Sequence, residues 1–220
     1  MKDTKTALTL NSVIFVMGVL GAVFTFTGVR LTGANDTVSG FSALKYYTVL
    51  SNIFAAVISG AAAVCEYLYM KGKIKTVPTP LYVLKLSATT CVSLTFLIVM
   101  IYLAPFNPDG FFSMFTNSNL LFHFVIPVLS FTVFVFYEKT KSIKFYYTFV
   151  SVIPTLFYGI FYAVIAALNT ADGEIIPEYD WYRFFYGGVF AAVAIYIVIL
   201  GLAYLISFLL WKFNSRRLTK

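Results

Sequence analysis

Six apolar stretches, each near or above the ~20 residues that a helix needs to cross hydrocarbon, decide what this chain can become. They run roughly from Leu8 to Arg30, Lys45 to Met70, Pro80 to Ala104, Thr116 to Tyr137, Phe145 to Leu168 and Phe185 to Trp211. Of the 220 residues, 60% are hydrophobic and 11% charged, and the mean hydropathy of +0.86 lies outside the range of soluble domains. The expectation is an all-α polytopic membrane protein, residues 1–220 forming one bundle of six transmembrane helices with no room for a soluble domain. The first stretch exceeds the ~7–15 apolar residues of a signal peptide, and no small-x-small cleavage site follows it, so it reads as a true span.

Orientation follows from the basic residues, which collect on the cytoplasmic side because they resist translocation. With the N-terminus inside, Lys2, Lys5, Lys71, Lys73, Lys75, Lys139, Lys141, Lys144, Lys212, Arg216, Arg217 and Lys220 are cytoplasmic, and only Arg30, Lys45 and Arg183 are outside. Asp36, Asp109, Asp172, Glu174, Glu178 and Asp180 fall outside too. Both termini are therefore expected in the cytoplasm. The net charge of +7 comes from separated juxtamembrane clusters that suit anionic lipid, so nucleic acid is not an expected partner. Cys65 and Cys91 lie in different spans and, with a single histidine, make a poor zinc set, so no metal is expected.

Packing in lipid depends on small residues that let helices approach closely. Gly18, Gly21, Thr25 and Gly28 share one face of the first span, and the second offers Thr48, Asn52, Ala55, Ser59 and Ala63, so these two are expected neighbours. The outer segments Pro105 to Phe115 and Asn169 to Arg183 are long enough to form a lid.

Polar residues inside the spans carry the functional signal. Thr48 and Ser51 can bond a carbonyl one turn back. Asn52 cannot satisfy its amide that way, so it should face protein or a watery cavity. The only histidine, His123, lies about two turns into the fourth span and is a functional candidate by position. Asn119, four residues earlier, can reach one ring nitrogen and set its tautomer. Pro127, four residues later, removes the N–H that His123's carbonyl would use and should kink the helix. Comparing depths at ~1.5 Å per residue leaves Thr48 and His123 about four residues, ~6 Å, apart along the membrane normal, which tilt can absorb. In the fifth span Tyr147, Ser151, Thr155, Tyr158 and Tyr162 share a face, with Pro154 breaking a backbone bond. That face either lines a cavity or packs helices.

A six-helix chain with "YYTVLSN" in its second span and "NLLFHFVIP" in its fourth resembles the androgen-induced-gene-one family and its bacterial relatives. "VIPTLFY" in the fifth span is similar to that family's proline-aromatic segment, whereas "DWYRFFY" departs from the bacterial relatives, which are richer in proline there. Characterised eukaryotic members hydrolyse fatty acid esters of hydroxy fatty acids and require a threonine and a histidine. The resemblance implies Thr48 as nucleophile and His123 as base, with Ser51, Asn52 and Pro127 in the surrounding pattern. It also implies a membrane lipid or fatty-acid ester as substrate, no cofactor, and the cell membrane of a bacterium as location.

Neutral imidazole, with an unperturbed pKa of ~6.5, suits removal of a hydroxyl proton. The oxyanion would need donors, for which Asn52, Asn119 and the fifth-span phenols Tyr158 and Tyr162 are candidates. Two other readings stand beside this one. The polar groups can be interhelical glue, each worth ~0.6 kcal/mol, or they can hold the substrate of a small transporter or lipid receptor without covalent chemistry. Haem electron transfer is disfavoured with one histidine, and no glycine-rich phosphate loop is present. The oligomeric state is not legible.

Overall fold

The computed structural model of the chain describes residues 2–30, 38–138 and 143–216. Within them, six helices are long and apolar enough to cross a membrane: α1 (Asp3–Thr27), α2 (Tyr47–Met70), α3 (Thr79–Leu103), α4 (Asn117–Phe136), α5 (Tyr147–Leu168) and α6 (Phe184–Ser215). The protein is a multi-pass integral membrane protein of all-α class. Its described sheet is a two-residue hairpin, β1 (Thr170–Ala171) and β2 (Glu174–Ile175), in the segment before α6.

The most extensive helix pair is α1 with α2. The small-residue stripe explains it: a Cβ added to Gly18 would stand 2.3 Å from the Cβ of Ala56, closer than real atoms approach. A Cβ on Gly21 would meet the ring of Phe122 at 2.4 Å, so the same stripe also admits α4. Ile14, Ala55, Ala62, Phe122 and Ile126 form the core of this three-helix junction. The centre of the bundle is α3, which touches α2, α4, α5 and α6. In its most apolar 18-residue window 56% of the residues are buried, against 11% for α6, which lies at the periphery.

Three helices are interrupted where the sequence dictates. In α4 the turn Leu121–Val125 is π-helical and Pro127 follows directly, so the missing N–H is absorbed by widening one turn. A second π turn, Val99–Leu103, ends α3. In α5 the helix breaks at Ser151 and Val152, just before Pro154.

Candidate functional site

Asn52 organises the site. It is fully buried, and its Nδ2 donates to the Thr48 carbonyl at 2.8 Å and to the Phe122 carbonyl on α4 at 3.0 Å. Two carbonyl partners fix the amide's orientation, because a flipped oxygen would face oxygen. One residue earlier, Ser51 Oγ bonds the Thr48 carbonyl at 3.1 Å and lies 3.2 Å from Thr95 Oγ1 on α3. Thr48 is one turn toward the helix start from both, on the strip of α2 between its α3 and α4 contacts. Its side chain is half-buried, and its hydroxyl makes no hydrogen bond among the described residues.

His123 is in the π turn, one residue beyond the carbonyl that Asn52 holds, and 5% exposed. Its Nδ1 lies 2.7 Å from the backbone oxygen of Met114, and its ring stands edge-on to Phe115. A carbonyl only accepts, so Nδ1 carries a proton, and in the neutral ring Nε2 presents the lone pair. The sequence suggested Asn119 for this orienting role. The structure gives it to Met114, in the short 3-10 helix Phe111–Phe115 that folds the α3–α4 connection back over the ring. No hydrogen bond joins Asn119 to His123 among the described residues, consistent with a π turn that shifts the facing of residues four apart. Asn119 is half-buried with its amide unengaged among those residues.

Asn52 thus ties the backbone of Thr48 to that of Phe122, the residue before His123, and among the described residues no hydrogen bond joins the side chains of Thr48 and His123. Pro127 is buried, and its contribution is the widened turn that carries His123.

The fifth-span phenols serve the segments that join the spans. Tyr158 donates to the Lys45 carbonyl at 2.6 Å and accepts from Trp181 Nε1 at 3.3 Å. Tyr162 donates to Asp180 Oδ1 and stacks on Phe185. Tyr182 accepts the backbone N–H of Tyr47 at 2.9 Å, and burial pushes its phenol well above the ordinary tyrosine value. Lys45 completes the cover with its ammonium 5.5 Å from the Trp181 ring. The segment between α5 and α6 is therefore clamped over the start of α2. Tyr47 itself reaches inward to Thr155 Oγ1 at 2.8 Å.

A second polar group, not anticipated from the sequence, lies at the other end of α2. Asn11, Ser59, Glu66, Lys85 and Glu138 are all at least nine-tenths buried and connected to one another. The available signal was three ionisable residues, Glu66, Lys85 and Glu138, within or at the margin of apolar stretches, each a functional candidate on that ground alone.

Among the described residues no group of three or more His, Cys, Asp or Glu side chains is placed to hold a metal ion. No family model, curated protein or solved structure matches the chain.

Proposed function

We propose that this protein is an integral membrane hydrolase of lipid esters, with Thr48 as nucleophile and His123 as general base. The observation that carries the proposal is the held tautomer of His123: its Nδ1 is committed to a carbonyl and its Nε2 is an acceptor, the state a general base requires. Thr48 has an unengaged hydroxyl one turn from Asn52, and the proposal requires its Oγ1 to reach Nε2 directly or through one water. Thr48 Oγ1 would attack the ester carbonyl while its proton passes to the imidazole. Collapse of the tetrahedral adduct would return that proton to the leaving alcohol, and water would then hydrolyse the acyl-threonine.

The donor assignments narrow the oxyanion site. Both Nδ2 protons of Asn52 are engaged by carbonyls, and the hydroxyl protons of Tyr158 and Tyr162 go to Lys45 and Asp180. Of the four candidates Asn119 keeps its amide available, so we assign it the oxyanion. Asn52 then acts as a positioning residue. The charge distribution supports both termini in the cytoplasm and the Thr48 end of the bundle on the non-cytoplasmic side, and the family resemblance supports the cell membrane of a bacterium. There a fatty-acid ester would enter between helices.

A fluorophosphonate probe applied to the purified protein tests this reading. Labelling at Thr48 that disappears in Thr48→Ala and His123→Ala supports it. Equal labelling in either variant, or full ester turnover without Thr48, rules this nucleophile out.

A further inference from the structure

At the end of the bundle that carries the N-terminus and the α2–α3 loop, side chains from α1, α2 and α3 meet Glu138, just past the end of α4. Lys85 Nζ donates to Asn11 Oδ1 at 2.7 Å and to Ser59 Oγ at 3.1 Å, and lies 3.3 Å from Glu138 Oε1. Asn11 Nδ2 reaches both oxygens of Glu66 at 3.2 Å and Glu138 Oε1 at 3.0 Å. One amide nitrogen therefore bridges two carboxylates, of which only that of Glu138 contacts the ammonium among the described residues. With all three ionised, the cluster holds one negative charge more than it can pair, inside a site whose low dielectric makes that charge costly.

Two further observations show how the imbalance can be met. Glu138 is 5% exposed, yet its Oε2 has no hydrogen-bond partner among the described residues. Both carboxylates line a cavity of about 330 Å³, whose wall also includes Tyr69, Tyr82, Tyr137 and Thr79. That volume falls at the lower end of the ~300–1,000 Å³ typical of small-molecule sites. Phenol faces attract cations, and a carboxylate oxygen lacking a donor calls for an N–H.

We propose that this cavity binds a primary ammonium group, carried by a small soluble amine or by an aminoethyl lipid head group. The ligand's charge offsets the unpaired carboxylate, its N–H groups serve the two glutamates, and its alkyl carbon rests on the tyrosines. A quaternary ammonium matches the charge and the aromatic wall but offers no N–H, so it should bind poorly. The site is separate from Thr48 and His123 and does not depend on the hydrolase reading.

The test is thermal unfolding of the full chain in detergent, at constant pH and ionic strength, titrated with ethanolamine hydrochloride or tetramethylammonium chloride. A saturable rise in melting temperature with ethanolamine, at least tenfold weaker with tetramethylammonium and lost in Glu138→Gln, is the expected result. In nanodiscs, an ethanolamine response present in phosphatidylglycerol but abolished by phosphatidylethanolamine identifies the lipid head group as ligand. A response unchanged between the two identifies a soluble amine. Equal response to both ammonium salts, an unchanged response in a folded Glu138→Gln, or stabilisation by lowered pH alone with none by amine overturns the proposal. Should Glu138→Gln not fold, Glu66→Gln is read in its place, and the comparison of the two salts on the unaltered protein decides independently.

Discussion

A single carboxamide fastens α2 to α4 beside the candidate catalytic pair, and its removal has a defined cost. Asn52→Ala removes the side-chain tie between the Thr48 and Phe122 carbonyls, the first of which keeps Ser51 Oγ as a donor, so roughly 1–2 kcal/mol of stability should be lost, near the upper end for membrane hydrogen bonds. Unfolding in mixed micelles measures this, and Asn52→Asp should lose at least as much because a carboxylate offers no N–H. Thr48→Ser retains the attacking oxygen and should keep partial ester turnover, whereas Thr48→Ala should show none at unchanged expression. Lys85→Met, with both glutamates intact, strands buried negative charge and should cost about 3–5 kcal/mol, read by the same unfolding assay. At this scale the sequence was partly legible. Thr48, Asn52 and His123 stand out as polar residues in apolar helices. Met114 could not, because its contribution is a backbone oxygen that any residue would supply, and its placement depends on how the α3–α4 connection folds.

Among the elements, α1 and α2 were readable as neighbours because close approach has a composition, small residues at helical spacing. Gly18→Leu should force these helices apart at Ala56 and cost on the order of 1–3 kcal/mol by overpacking, a loss that unfolding in micelles would register. The widened turn of α4 was readable in outline from Pro127, but its consequence for Asn119 was not, since helix-wheel spacing assumes an unbroken register. The segment before α6 makes a pH prediction. Tyr182 is neutral in both states below about pH 10, where an unfolded tyrosine begins to ionise. Burial raises its folded pKa, so its stabilising contribution is complete below that value and is lost as pH climbs toward the folded value. Alkaline titration followed by phenolate absorbance should show a late-titrating fraction of the tyrosines that Tyr182→Phe reduces by one residue.

For the molecule as a whole, apolar length alone gave the six spans, since no other property of the chain competes with membrane-length hydrophobicity. The buried network of Asn11, Ser59, Glu66, Lys85 and Glu138 escaped that reading because residues up to 127 apart in the chain meet there, and pairing across such separations leaves no local pattern. That network also bears on how the protein is made. The chain emerges N-terminal end first, so Asn11, Ser59 and Glu66 reach the bilayer before α3 delivers its lysine, and the second glutamate arrives only after α4. A lysine entering hydrocarbon alone is penalised by ~2.5–3.5 kcal/mol at a helix centre. Here Asn11 and Ser59, which accept from its ammonium, are already in the bilayer when it enters, so the order of the helices along the gene doubles as an order of insertion in which Lys85 meets its hydrogen-bond acceptors first and its ion-pair carboxylate last.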